Sequence, residues 1–168
     1  MDNRTDNRTD EKVGHRVADA LGELLKRSLR ANLYQGLTEH LGEGVDEVTY
    51  PVLSGLARTG PCSAAELAAG VGLDRSGVSR RASRLEAAGL LRREPDPADG
   101  RSVLLVLTDR GAHTVETMRQ RLATSIDATL SSWPPGEAEA FARGLRRFLD
   151  DGPFGPRTEE PAQPGDGG

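Results

Sequence analysis

Between Arg75 and Arg93 the chain places six arginines around a single acid, Glu86, a local charge of +5, and sets Ser76, Ser79 and Ser83 among them. Those residue types suit one chemistry. A guanidinium forks onto a guanine edge or onto phosphate oxygens, and short hydroxyl side chains let the backbone come close enough for it to reach. Sorted at about 100° per residue, Ser76, Ser79, Arg80, Ser83 and Ala87 share one helix face, with Arg84 on its flank. Val78, Ala82 and Leu85 form the opposite stripe at i, i+4, i+7. This sorting assigns base recognition to Arg80 and Ser79, with Ser76 and Ser83 beside them, and phosphate contact to Arg84 and Arg75. A further cation stands apart. Arg101 ends the run Pro95-Asp96-Pro97-Ala98-Asp99-Gly100-Arg101, where Asp96 and Asp99 are near enough to brace it. An arginine held out on a turn suits a narrow, electronegative DNA minor groove.

Positioning these residues takes a particular order of elements. Gly60-Pro61 is a breaker pair, and Ser63-Ala64-Ala65-Glu66 after it fits a capping box. A helix is predicted through Leu67 and Ala68 to Gly70, then a turn at Val71-Gly72-Leu73. Asp74 is a good N-cap for the arginine helix over Arg75–Ala88, and Gly89 a good left-handed stop. Leu90–Glu94 and Ser102–Leu107 read as two strands around the Pro/Asp/Gly turn, a hairpin. The order is a helix-turn-helix followed by a wing.

The motifs Leu73-Asp74-Arg75-Ser76, Val78-Ser79-Arg80, Arg84-Leu85-Glu86, Gly89-Leu90, Asp96-Pro97, Asp99-Gly100-Arg101 and Leu107-Thr108 with Gly111 resemble the MarR family of bacterial and archaeal winged-helix transcription regulators. The resemblance extends less sharply over about Arg16 to Leu149, and its wing signature is the specific part. It implies a homodimer on a palindromic operator in double-stranded DNA, usually released by a small-molecule effector or by oxidation, and most often a repressor. One departure stands out: Val45-Asp46 occupies the place where the family often has leucine and threonine, which leaves the start of that helix open.

Outside the wing, apolar spacing predicts helices. Val13, Val17, Leu21, Leu24 and Leu25 begin a stripe that continues through Leu29, Leu33 and Leu37, a long helix over about Glu11 to Leu41. Asp46 to Arg58 is expected to be the next, with Val48, Val52, Leu53 and Leu56 inward and Pro51 tolerable only in its first turn. Thr108 is expected to cap a helix to about Ser131, and Glu137 to Leu149 carries Ala138, Phe141, Ala142, Leu145, Phe148 and Leu149 on one face. Helices apolar over so wide a face must bury it against something. The expected fold is therefore mainly α with a small β-wing: a winged helix-turn-helix plus a helical dimerisation region. Its parts are a disordered tail at 1–10, an N-terminal dimerisation helix at 11–42, the DNA-binding domain at 45–108, C-terminal dimerisation helices at 109–150 and a disordered acidic tail at 151–168.

The bulk numbers bound the rest. A chain of 168 residues with 36% hydrophobic and 4% aromatic content suits one domain with an aliphatic core. Its net charge of −4 is compatible with a basic face, because five acids and one arginine collect between Asp150 and Gly168. There is no apolar run long enough for a membrane span and no apolar leader, so a cytoplasmic location is expected. Cys62 is the single cysteine, and His15, His40 and His113 lack metal-ligand spacing. No cofactor or metal is expected. With no phosphate-binding loop, nucleophile elbow or zinc-helix motif, an enzyme is not expected either. The rival to a DNA-binding regulator is a winged helix that binds protein instead. Tyr34, Tyr50 and Trp133 are candidates for lining an effector pocket or, more simply, for packing.

Overall fold

The structure, a computed structural model, describes residues 12–153. The expected tail at 1–10 and the part of the acidic tail from residue 154 onward lie outside the described residues. In chain order the elements are α1 (Val13–Leu25), α2 (Arg27–Thr38), α3 (Tyr50–Thr59), β1 (Cys62–Ser63), α4 (Ala64–Val71), α5 (Arg75–Ala87), β2 (Leu91–Pro95), β3 (Val103–Leu107), α6 (Asp109–Leu130) and α7 (Glu137–Asp151). The fold is thus mostly helical with one small antiparallel sheet. Two compact units divide between Leu122 and Ala123.

In the first unit, local chemistry sets the helix ends. Ser63 Oγ accepts the Glu66 N–H at 3.3 Å while Glu66 Oε2 accepts the Ser63 N–H at 2.8 Å, the expected capping box at the start of α4. Gly72, at φ 67°, ends α4, and Gly89, at φ 70°, turns the chain out of α5. Between them lies the core. Val52, Leu53 and Leu56 of α3, Leu67 of α4, Val78, Ala82 and Leu85 of α5, Leu90, Leu91 and Leu105 of the wing, and Val115 and Met118 of α6 are all buried in one cluster. Burying each large aliphatic side chain contributes about 1.5–3 kcal/mol, so α5 is seated by its own stripe.

The sheet runs in the order β1-β3-β2. β2 and β3 form the predicted hairpin, with Arg93 opposite Leu105 and Pro95 opposite Val103. β1 adds a third strand through Cys62 and Ser63 opposite Leu105 and Leu104. Two residues carry no readable period, so sequence alone misses it. Its effect is to give β3 a strand partner on both edges.

Three expectations need correction. The single helix over 11–42 is two, because Lys26 leaves helical geometry at ψ 132°; nothing local explains the break, which falls at none of the glycines. The next helix starts at Tyr50, not Asp46, and this places Pro51 in its first turn, where its missing N–H costs nothing. Val48 therefore precedes the helix and is exposed, not inward. Lastly, α7 continues through Asp151, so the C-terminal segment expected to be disordered from 151 begins in helix.

The second unit contains the end of α6 and α7. Gly136, at φ 84°, precedes α7 without a side-chain cap, and none of α7 is buried. Trp133 lies edge-on to Phe141, ring centroids 5.3 Å apart. Phe141, Leu145 and Leu149 remain 46%, 44% and 47% exposed. Within the first unit α1 likewise buries no residue.

Candidate nucleic-acid interface

Asp74 opens α5. Its carboxylate accepts the Gly77 N–H and, at 2.8 Å, the Ser76 hydroxyl. These bonds, the Gly77 N–H above all, hold its pKa below the ordinary carboxylate value. From there the helix shows two faces. Val78, Ala82 and Leu85 are fully buried, while Ser76, Arg80, Ser83 and Arg84 are exposed and Ser79 is half-buried. The sorting of faces predicted from sequence is the one the structure has. Ser76 and Ser83 have local duties as well: Ser76 donates to the cap, and Ser83 donates to the Ser79 carbonyl at 3.1 Å.

The arginines differ in what holds them. Arg84 Nη2 meets Asp46 Oδ2 at 2.5 Å. Arg93 pairs with Glu86 and donates to Ser83 Oγ at 3.1 Å. Arg92 pairs with Glu94 at 2.6 Å and donates to the Leu107 carbonyl at 3.1 Å. Arg81 donates Nε–H to the Val48 carbonyl at 2.8 Å and Nη1 to the Gly77 carbonyl at 2.9 Å. Three of the six arginines thus carry a carboxylate partner, so the local charge of +5 overstates the free positive charge. Arg84, assigned to phosphate from sequence, is among those engaged. Arg80 makes a long contact, 3.4 Å, to Ser76 Oγ and lies near enough to Asp74 to help hold its carboxylate ionised. The Arg75 guanidinium has no hydrogen bond or ion pair within the described residues.

At the wing, Asp96 Oδ1 accepts the Ala98 N–H at 2.8 Å and Asp99 Oδ1 accepts the Arg101 N–H at 3.0 Å. Each aspartate bonds the backbone two residues on, the preferred local geometry of this side chain. The expectation that one of them grips the Arg101 guanidinium is therefore corrected: both brace the turn's backbone. Among the described residues the Arg101 guanidinium makes no hydrogen bond or ion pair. It joins Arg75, Ser79, Arg93 and Ser102 in lining a recess of about 230 Å³. The structure brings the wing arginine and the start of α5 to one concavity. Arg93 and Ser102 are the members that sequence sorting missed, since both lie beyond the helix, Arg93 on β2 and Ser102 just before β3.

Behind this face, α6 fastens the end of α5. Thr108 Oγ1 accepts the Gly111 N–H at 3.1 Å, the expected cap, and donates to the Gly89 carbonyl at 2.8 Å. Arg110 Nη1 donates to the Ala88 carbonyl at 3.1 Å. Cys62 is buried in β1, its Sγ 3.5 Å from Thr59 Oγ1. Tyr34 and Tyr50 stack on each other, centroids 4.3 Å apart. Within the described residues no group of three or more metal-ligating side chains is assembled, and no helix is long and apolar enough to cross a membrane.

Comparison with known proteins bears on this geometry. A sequence model of the MarR family matches residues 43–102, from the loop before α3 to the tip of the wing. The chain is 34% identical over 104 residues to YxaD of Bacillus subtilis, an uncharacterized HTH-type transcriptional regulator, across 62% of this chain and 73% of the relative. It is 30% identical over 103 residues to the HTH-type transcriptional repressor NicR of Pseudomonas putida, across 61% of this chain and 65% of that protein. Among solved structures, RV1404 from Mycobacterium tuberculosis matches with a TM-score of 0.63 at 25% identity, covering 89% of this chain and 98% of that one.

Proposed function

The chain belongs to the MarR family of transcription regulators, and we propose on that footing that it is a repressor that binds a palindromic operator as a homodimer and releases it on binding a small molecule. Members of the family are DNA-binding regulators rather than enzymes. The observation that carries the reading is the exposed face of α5, which presents Arg80, together with the recess that Arg75 and Ser79 share with Arg101 of the wing; among the described residues neither the Arg75 nor the Arg101 guanidinium makes a hydrogen bond or ion pair. In this reading Arg80 and Ser79 read bases, Ser76 and Ser83 flank them, Arg75 meets phosphate and Arg101 enters the minor groove. The homodimer is supported by the apolar faces left exposed on α1 and, separately, on α7. The relative NicR is a repressor by name, which favours repression.

Selection of bound sequences from a random duplex pool, together with sedimentation, tests the proposal. A dyad-symmetric site is expected, with half-sites about one DNA turn, about 10 bp, apart, bound by a dimer with affinity that falls steeply with salt. Repeating the selection with cell metabolites identifies the effector. A monomer at micromolar concentration, or a selected site without a dyad, would overturn it.

A further inference from the structure

The loop between α2 and α3 grips α5 from the side. Asp46 Oδ1 accepts the Val48 N–H at 3.0 Å and the Thr49 N–H at 2.9 Å. Thr49, fully buried, donates its hydroxyl to the Gly44 carbonyl at 2.8 Å. These bonds make a tight turn whose backbone lies against the helix. At Gly44, φ 80°, an added Cβ would stand 2.7 Å from the Ala88 Cβ, so the approach requires glycine. The other oxygen of Asp46 takes Arg84, and the Val48 carbonyl takes Arg81. Positions 81, 84 and 88 are one helix face at i, i+3, i+7 spacing. The loop covers the flank of α5 next to its exposed serine and arginine face.

We propose that Asp46 is a positioning residue for DNA reading: its carboxylate keeps Arg84 off the phosphate backbone, leaving contact with DNA to the sequence-reading face and weakening non-specific binding. The proposal rests on the DNA-binding reading above. Asp46 is held at the correct distance by its own loop, and its side chain is 32% exposed against 50% for Arg84. A phosphate approaching Arg84 therefore competes with a fixed, partly desolvated partner. A free arginine on that flank would neutralise a phosphate at any sequence, adding affinity without discrimination.

Asp46→Asn tests this, because its amide oxygen can still accept the Val48 and Thr49 N–H groups while the charge is gone. Asp46→Ser, a second capping residue, guards against a failure of the asparagine variant to fold. Binding to a random duplex and to the selected operator is measured across a salt series for the parent, both variants, Arg84→Ala and the Asp46→Asn/Arg84→Ala double variant. Removing the carboxylate is expected to tighten random-DNA binding about tenfold at low salt and to steepen the salt slope by about 0.9, one more phosphate. The ratio of operator to random affinity falls accordingly. In the Arg84→Ala background the gain disappears. An unchanged slope, weaker binding to both duplexes, or an equal gain with and without Arg84 would overturn the proposal; the last would mean that the carboxylate merely repels phosphate. A parent that binds no DNA at any salt would instead overturn the underlying reading.

Discussion

Helices α5 and α7 are built on the same plan and end in opposite situations. Both are amphipathic and similar in length, 13 and 15 residues. In α5 the narrow stripe of Val78, Ala82 and Leu85 is fully covered by the rest of its own unit, and the polar face is what remains to act. In α7 the wider stripe of Phe141, Leu145 and Leu149 stays close to half exposed. Amphipathicity therefore states that a face must be buried without stating by what. Where the chain itself covers the apolar face, the polar face is the one proposed to carry the function. Where it does not, the apolar face is proposed to do so, with a second copy of the chain as its cover.

Truncating each stripe is the strongest way to break this comparison. Leu85→Ala, in a fully packed site, is expected to cost about 2–5 kcal/mol of stability, read as a lower denaturation midpoint of the isolated protein. Phe141→Ala on α7 is expected to cost much less at high dilution. Equal losses at low protein concentration would mean that α7 is already covered within one chain. A charge on α7 sharpens the point. Phe141→Glu with Leu145→Glu removes two proposed anchors of about 1.5–3 kcal/mol each and is expected to raise the dimer dissociation constant at least about 100-fold. Sedimentation that still finds a dimer would place the interface elsewhere, and operator binding that survives in a monomer would break its link to symmetry.

The same contrast explains what sequence could tell. Around α5 each local signal agreed with the others: the Ser63 and Asp74 caps, the Gly72 and Gly89 stops, and a stripe of the right period all fell in register. Such agreement made the helix-turn-helix, the hairpin and the exposed arginine face legible. What escaped was set by partners distant in sequence. Asp46 and Arg84 are 38 positions apart, and Arg93 reaches back 10 positions to Ser83, so neither pair falls within one element and helical periodicity cannot show it. Counting charges along the chain could not reveal that half of the arginines were already answered. β1 was too short to carry a pattern, and the break at Lys26 falls at a residue that favours helix.

On the polar side of the comparison, Arg80→Ala is expected to cost about 1–3 kcal/mol of operator affinity at a single base position, with a smaller loss on random DNA. Equal losses on both would reduce Arg80 to a phosphate contact. Arg101→Ala is expected to weaken binding while leaving the dimer and its helix content intact, and Arg101→Lys to restore it only in part, since lysine lacks the planar fork. Changing the operator flanks from A·T to G·C is expected to reproduce the loss for the parent and to add nothing in Arg101→Ala. If flank composition matters equally in both proteins, the guanidinium of the wing does not read the minor groove.

The smallest expected effect concerns how the two kinds of helix begin. α4 and α5 each use a carboxylate at their start to accept a backbone N–H, Glu66 in the first turn of α4 behind its Ser63 cap and Asp74 as the cap of α5, whereas α7 starts on Gly136 with no side-chain cap. The Ser63 N–H holds Glu66, and the Gly77 N–H holds Asp74, below their ordinary values of 4.5 and 3.8. At Asp46 burial pushes the pKa up, but the bonds from Arg84 and Thr49 together outweigh it and the carboxyl also lies below 3.8. A carboxylate with a depressed folded pKa contributes stability that is fully present above its unfolded pKa and is lost as pH falls through the folded one. These three groups therefore add no pH dependence near neutrality and begin to withdraw their contribution below about pH 4.5. Melting followed from pH 7 to pH 3 is expected to be flat in its upper range, so far as these groups are concerned, and to fall in the lower. Asp74→Asn keeps a capping oxygen without the titrating charge, so its acid slope is expected to be shallower than the parent's. Amide exchange locates the loss: the first turns of α4 and α5 are expected to lose protection on acidification more than the first turn of α7, whose Glu137 and Glu139 lie in the first turn without a side-chain cap bond at its N-terminus. An acid slope unchanged in Asp74→Asn, with α7 opening first, would show that the caps do not govern the acid limit and that the uncovered helix does.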